Sequence, residues 1–145
     1  MSTRSAIGYV MPSGRIKAVY CHWDGHPDTK EKELKKYKDK TAVVQLIKKG
    51  NMSSLETRST WLTGGHGYFA EAREPQPLYH KERGDSWSQC KPRISLSKRE
   101  AIKFWSGMDC EYLYVFTPDG WKTFKVIRWP ITSRMKTMLE MLKLL

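Results

Sequence analysis

The sequence predicts an α+β fold: a mostly antiparallel sheet built from two hairpins plus edge strands, packed by three or four helices. Three observations carry this expectation. Residues 6–22 and 111–127 each alternate β-branched or aromatic residues with polar ones on both sides of a short turn. Three other stretches place a capping residue ahead of apolar residues spaced three and four apart. The chain has 145 residues, 39% of them hydrophobic, which is enough to bury one core and too few for two ordinary domains.

The first hairpin joins residues 6–11 to residues 15–22 through Pro12-Ser13-Gly14. Along its second strand Ile16, Ala18, Tyr20 and His22 share one face, and Lys17, Val19 and Cys21 the other. Asp24-Gly25-His26-Pro27 ends that strand, because turn residues cluster there and Pro27 has no N–H to give a ladder. Residues 29–40 read as a solvated helix whose apolar stripe is only Leu34 and Tyr37. Residues 41–50 form a second helix with Asp39 or Thr41 as N-cap and Val43, Val44, Leu46 and Ile47 inward. Lys48 and Lys49 sit in its last turn, and Gly50 ends it.

Between residues 51 and 77 the pattern weakens to a Gly64-Gly65-His66-Gly67 loop and a short strand at 68–72. Another short strand follows around Leu78-Tyr79-His80, then a polar segment over 81–91. Ser97 and Glu100 make a capping box for a helix with Ala101, Ile102, Phe104 and Trp105 on its apolar side. The second hairpin pairs 111–116 with 121–127 across Thr117-Pro118-Asp119-Gly120. Ser133 caps a final helix with Met135, Met138, Leu139, Met141, Leu142 and Leu145 on one broad face. The expected organisation is a single α+β domain over 1–127 and a C-terminal amphipathic helix over 128–145. That helix packs on its own sheet or, rimmed by Arg128, Arg134, Lys136 and Lys143, binds an acidic partner or a second copy as a homodimer.

Twenty-six Lys and Arg against 15 Asp and Glu give a formal charge of +11. Such a balance favours anionic partners: nucleotides, nucleic acid or an acidic protein. No run approaches the roughly 18 apolar residues that cross a bilayer, and the opening residues lack the apolar core of a secretory signal. The expectation is a cytoplasmic protein with no membrane contact. Cys21, Cys90 and Cys110 are odd in number and share no C-x-x-C spacing, so reduced thiols are expected, with no zinc ribbon and no cofactor.

The chemically richest segment is Cys21-His22-Trp23-Asp24-Gly25-His26. In extended chain His22, Asp24 and His26 share a face, a ligand spacing for a divalent metal, although no H-x-x-x-H or cysteine pair accompanies them. A turn held by its own side-chain hydrogen bonds accounts for the same residues. Cys21 as a nucleophile cannot use His22, which points to the opposite face, and needs His66 or His80 from elsewhere. The glycines at 64–67 lack the G-K-[ST] continuation of a phosphate-binding loop. Arg4, His80 and Arg83 are better anion ligands, since Arg presents a permanently charged planar fork; the competing fate of Arg83 is a pair with Glu82 or Asp85. Aromatics interleave with bases at 103–105, 121–125 and 128–129, a pattern shared by stacking platforms for unpaired bases and by ordinary core strands.

Arg4-Ser5-Ala6-Ile7-Gly8, Tyr20-Cys21-His22-Trp23-Asp24-Gly25-His26-Pro27 and Tyr79-His80-Lys81-Glu82-Arg83-Gly84-Asp85-Ser86-Trp87 together resemble a family of small proteins encoded by bacteriophages and prophages. These carry R-S-x-I-G, Y-C-H-[FW]-D-G-Y-P and Y-H-R-D-R-G-E-x-W. The likeness extends to Asn51-Met52-Ser53-Ser54-Leu55 and to the closing hairpin, covering residues 3–125. His26 stands where the family has Tyr, and residues 128–145 run past the family's usual end. The resemblance implies a phage-type protein acting on a host process or defence system. The function expected is a binding protein rather than an enzyme, with Arg4, Tyr20, His22, Asp24, His80 and Arg83 around one concave site for a nucleotide, nucleic acid or acidic host protein. If so, the segments around residues 4, 20–27 and 79–85 should meet in space. The alternative is a hydrolase or nuclease using His22, Asp24 and His26 with a metal, or Cys21 with a distant His.

Overall fold

The computed structural model describes residues 3–61 and 74–126. The first hairpin forms as its alternation requires. β1 (Ser5–Val10) pairs antiparallel with β2 (Ile16–Cys21), in register from Ser5 opposite Cys21 to Val10 opposite Ile16. Gly14 takes the positive φ of 87° that lets the turn close, and Met11 donates its N–H to the Arg15 carbonyl at 2.7 Å. β2 then divides its side chains as expected, Val19 and Cys21 to one core and Ile16, Ala18 and Tyr20 to the other.

α1 (Pro27–Leu34) begins with Pro27 in the first turn, where a missing N–H costs nothing, and with the His26 imidazole accepting from the Asp28 N–H at 3.3 Å. It stops at Leu34, six residues short of the expected end. Asp39 adopts an extended backbone and turns its carboxylate onto the Ala42 N–H at 2.9 Å, capping α2 (Lys40–Lys48) and preventing one continuous helix. Nor is α1 merely a solvated face. Lys30 is fully buried, its Nζ 2.8 Å from Glu33 Oε1 and 3.6 Å from Cys21 Sγ, because α1 lies with this turn against the underside of β2.

β3 (Met52–Thr57) occupies the stretch where the sequence pattern weakens. It meets β2 in parallel at Cys21 and Met52, and pairs antiparallel with β4 (Gln76–Tyr79), whose Pro77 is tolerated because β4 ends the sheet. A 3-10 turn (His80–Arg83) closes at Gly84 with φ 100°. The polar segment after it holds a one-turn helix, α3 (Trp87–Cys90), and a three-residue strand, β5 (Arg93–Ser95), antiparallel to the first half of β2. α4 (Lys98–Gly107) starts at the expected cap, with Ser97 Oγ accepting from the Glu100 N–H at 3.2 Å. β6 (Tyr112–Thr117) and β7 (Gly120–Lys125) form the second hairpin.

The strand order is β4-β3-β2-β1-β6-β7, with β5 on the same edge of β2 as β3. The two hairpins join through a parallel β1–β6 pairing, so the sheet is mixed and mostly antiparallel, an open α+β sheet. α1 and α2 cover one face, where Leu34, Val43, Leu46 and Ile47 pack on Ile7, Val19, Met52, Leu55 and Tyr114. α4 covers the other, with Ala101 and Trp105 over Ala6, Ala18, Leu113 and Val115. Being covered twice explains why β1 is buried along nearly its whole length instead of alternating. Phe104, Trp121 and Phe124 turn toward these cores while Lys122 and Lys125 stay exposed, so the aromatic-basic alternation at 103–105 and 121–125 is core packing. The glycines at 64–67, the strand at 68–72, the bases at 128–129, the division at residue 127 and the C-terminal helix with its dimer reading lie outside the described residues.

Candidate functional site

Three distant segments meet at the C-terminal end of β2. Arg4 enters β1, Tyr20 and His22 leave β2, and His80 follows β4. Asn51 ties them together: its side-chain oxygen accepts from the Tyr20 N–H at 2.9 Å and its carbonyl from the His80 N–H at 2.9 Å. The Tyr20 hydroxyl and His22 Nδ1 share a 2.7 Å hydrogen bond, and the Tyr20 and His80 rings lie 6.3 Å apart. His80 Nε2 is 3.1 Å from Ser53 Oγ on β3. The Arg4 guanidinium lies near enough to Tyr20 to favour its ionised form. Arg83 stacks over the Trp61 indole at 5.2 Å and grips Asp85 through two hydrogen bonds of 2.7 and 2.9 Å, the structural pairing that competed with ligand binding in the sequence.

The charge of this cluster resides on its arginines. Burial, reinforced by Arg83, pushes the His80 imidazole down to about 4. Burial, then Arg4 and Arg83, also lowers His22. Burial raises Tyr20 although Arg4 opposes it. At neutral pH the site therefore holds two uncharged imidazoles and a phenol between two guanidinium groups. Neutral His80 makes a testable contribution to stability. Its folded pKa lies below the ordinary 6.5, so the unfolded chain takes up a proton first as pH falls. Its contribution is complete above about 6.5 and is lost toward 4, and His22 acts in the same direction. The melting temperature should fall between pH 7 and 4.5, and His80→Gln should flatten that fall. Identical slopes for the two proteins would remove His80 as the cause.

Asp24 does not join the other five. It has a left-handed φ of 57°, which turns the chain and breaks the two-residue alternation on which a shared face depended. Asp24 instead lines a cavity of about 320 Å³ with Trp23, Ser54 and Glu56, which none of the other five residues lines. His26 caps α1 and meets Tyr112 edge-on at 5.7 Å. Among the described residues no group of three His, Cys, Asp or Glu side chains is placed to hold a metal ion. Cys21 is buried on the face of α1 and α2, its thiol bonded to the Trp23 carbonyl and facing Lys30, and burial raises its pKa. A thiol so placed is a structural group rather than a nucleophile. All three cysteines are buried and free.

Asn51, Ser53 and Trp61 position this site and escaped the sequence reading as individual residues. For Asn51 and Ser53 the available signal was their membership of the Asn51–Leu55 stretch to which the resemblance extends; Trp61 carried none. Comparisons with protein-family models, with curated proteins and with solved structures find no match to this chain. What fold and site define is an open, mixed α+β sheet with a half-buried, arginine-flanked polar cluster at one strand end. Among the described residues no helix is long and apolar enough to cross a membrane.

Proposed function

We propose that this chain is a small basic binding protein whose Arg4, Tyr20, His22, His80 and Arg83 cluster receives an anionic ligand. One observation carries the reading. Two arginines 79 positions apart in sequence both bear on the His22 imidazole, Arg83 bears on His80 as well, and the acid held there, Asp85, is taken up by Arg83. Arg4 supplies the charge, while the imidazoles and the phenol supply hydrogen bonds without adding charge. Nucleotides, nucleic acid and acidic proteins all present a phosphate or carboxylate that suits this arrangement. The resemblance to phage and prophage proteins supports a role in the host cytoplasm, where sequestering such a ligand or occupying a host protein's anionic surface modulates a host process or defence system. The hydrolase alternative has no comparable support among the described residues.

Titration of isotopically labelled protein with inorganic phosphate and with a ribonucleoside triphosphate tests the reading. The His22 and His80 ring resonances should shift, and Arg4→Ala should weaken binding about tenfold or more, with Arg4→Lys intermediate because a point charge replaces a fork. Unmoved imidazoles, or equal affinity in Arg4→Ala at equal thermal stability, would overturn it.

A further inference from the structure

We infer a second site, separate from the Arg4 cluster, in which the groove beside β5 binds unpaired nucleic acid. Lys17 of β2 and Ile94 of β5 are paired cross-strand neighbours, and Lys91-Pro92-Arg93 lead from α3 into β5 beside them. With Trp87 these residues line a surface groove of about 470 Å³. Among the described residues its ionisable lining is Lys17, Lys91 and Arg93, three cations and no carboxylate. A second cleft, of about 180 Å³, shares Lys91, Pro92 and Arg93 and adds Ser88 and Gln89 as hydrogen-bonding groups. Lys81 contributes a fourth cation, its Nζ 5.3 Å from the centre of the Trp87 ring.

The aromatic at this groove is placed for use. Trp87 is 44% exposed and Ile94 beside it 44%, although the fold has two cores able to take such side chains. Trp87 is also seated firmly: its ring packs at Gly50, where an added Cβ would meet the ring at 3.2 Å and the Cys90 carbonyl at 2.2 Å, so only glycine fits under the indole. Arg93 is pre-ordered too, its guanidinium 4.1 Å from the centre of the Phe104 ring. An exposed, held indole among cations suits a base stacked on Trp87 with its phosphates on Lys17, Lys91 and Arg93. Duplex DNA keeps its base faces stacked inside and cannot use the indole; a carboxylate-rich protein could use the cations but gains nothing from the stack. Arg83 and Arg4 play no part in this groove.

Fluorescence anisotropy with a labelled oligothymidylate of about a dozen nucleotides tests the site. The wild-type chain should bind at low salt, weaken with added salt along a slope reporting two or three phosphate contacts, and prefer the single strand over a duplex of equal length. Trp87→Ala should weaken binding about tenfold or more while Trp87→Phe retains most of it, and Lys91→Ala or Arg93→Ala should each reduce the salt slope by about one contact. Lys122→Ala, which removes an exposed cation of β7 that lines neither groove, should bind the oligonucleotide as wild type does, so loss of one positive charge alone does not account for the result. Thermal melts should match wild type for Trp87→Phe and Lys91→Ala, whose side chains are exposed. Absence of binding, duplex preference, or unchanged affinity in Trp87→Ala would overturn the inference. So would loss in Arg4→Ala with retention in Trp87→Ala, which would assign the nucleic acid to the other cluster.

Discussion

Gly8→Ala should lose about 3 kcal/mol or more of stability, lowering the melting temperature by roughly 10 °C. Gly8 sits in β1, the strand that joins the two hairpins, opposite Ala18 on β2 and Val115 on β6. A Cβ there would lie 2.3 Å from the Lys17 carbonyl oxygen and 2.6 Å from the Ala18 Cβ. Neither can retreat: the carbonyl belongs to the neighbouring strand's backbone, and Ala18 is buried under α4. The ladder must open, and its burial on both faces makes opening expensive. Gly107→Ala provides the contrast. Gly107 ends α4 with nothing within 4 Å of an added Cβ, so alanine there should be neutral or add up to about 1 kcal/mol through helix propensity. Thermal unfolding of the two variants followed by circular dichroism decides the matter, and equal melting temperatures would refute this account of β1.

The elements legible in the sequence are those whose burial repeats at a fixed period. Both hairpins announced themselves because β-branched and aromatic residues crowd the two sides of a short turn, and Asp39, Ser97 and Gly14 performed the capping and turning expected of them. β3 was hidden because two of its inward positions are Ser53 and Ser54, buried polar residues that no hydrophobic pattern detects. α3 and β5 are too short for any period to show. Asp24 illustrates the other failure. The expected face of His22, Asp24 and His26 assumed an extended chain, and one left-handed residue undid it. The meeting of Arg4, Tyr20, His22 and His80 depends on β3 entering between β2 and β4, which is tertiary information that local spacing does not contain. Trp87 was unreadable for a related reason: a lone tryptophan in a polar segment looks the same whether it is buried or held at the surface against a glycine 37 positions earlier in the chain.

The Lys30–Glu33 pair should show the other large effect. Lys30 carries its charge inside the protein, 2.8 Å from Glu33 Oε1 and under the Cys21 thiol. Burial opposes that charge, but Cys21 and Glu33 outweigh it and hold the Lys30 pKa above its ordinary value. Burial raises Glu33 despite Lys30. Lys30→Ala removes the stem that fills this space and leaves Glu33 without its cation, a loss of about 3–5 kcal/mol at pH 7. Without Lys30 the Glu33 pKa rises further, so the folded state binds a proton that the unfolded chain, titrating near 4, has already released. The variant should therefore be least stable at pH 7 and recover part of its deficit relative to wild type at pH 5.5. Lys30→Met keeps the stem but not the charge and should show the same pH dependence with a smaller loss. Adding Glu33→Leu to Lys30→Met removes the stranded carboxylate and should restore most of the stability, with the pH dependence gone. Chemical denaturation of the four proteins at both pH values reads these terms separately. A Lys30→Met variant as stable as wild type at pH 7, with no difference at pH 5.5, would mean that Glu33 does not depend on Lys30 for its charge partner and that the pair contributes packing alone.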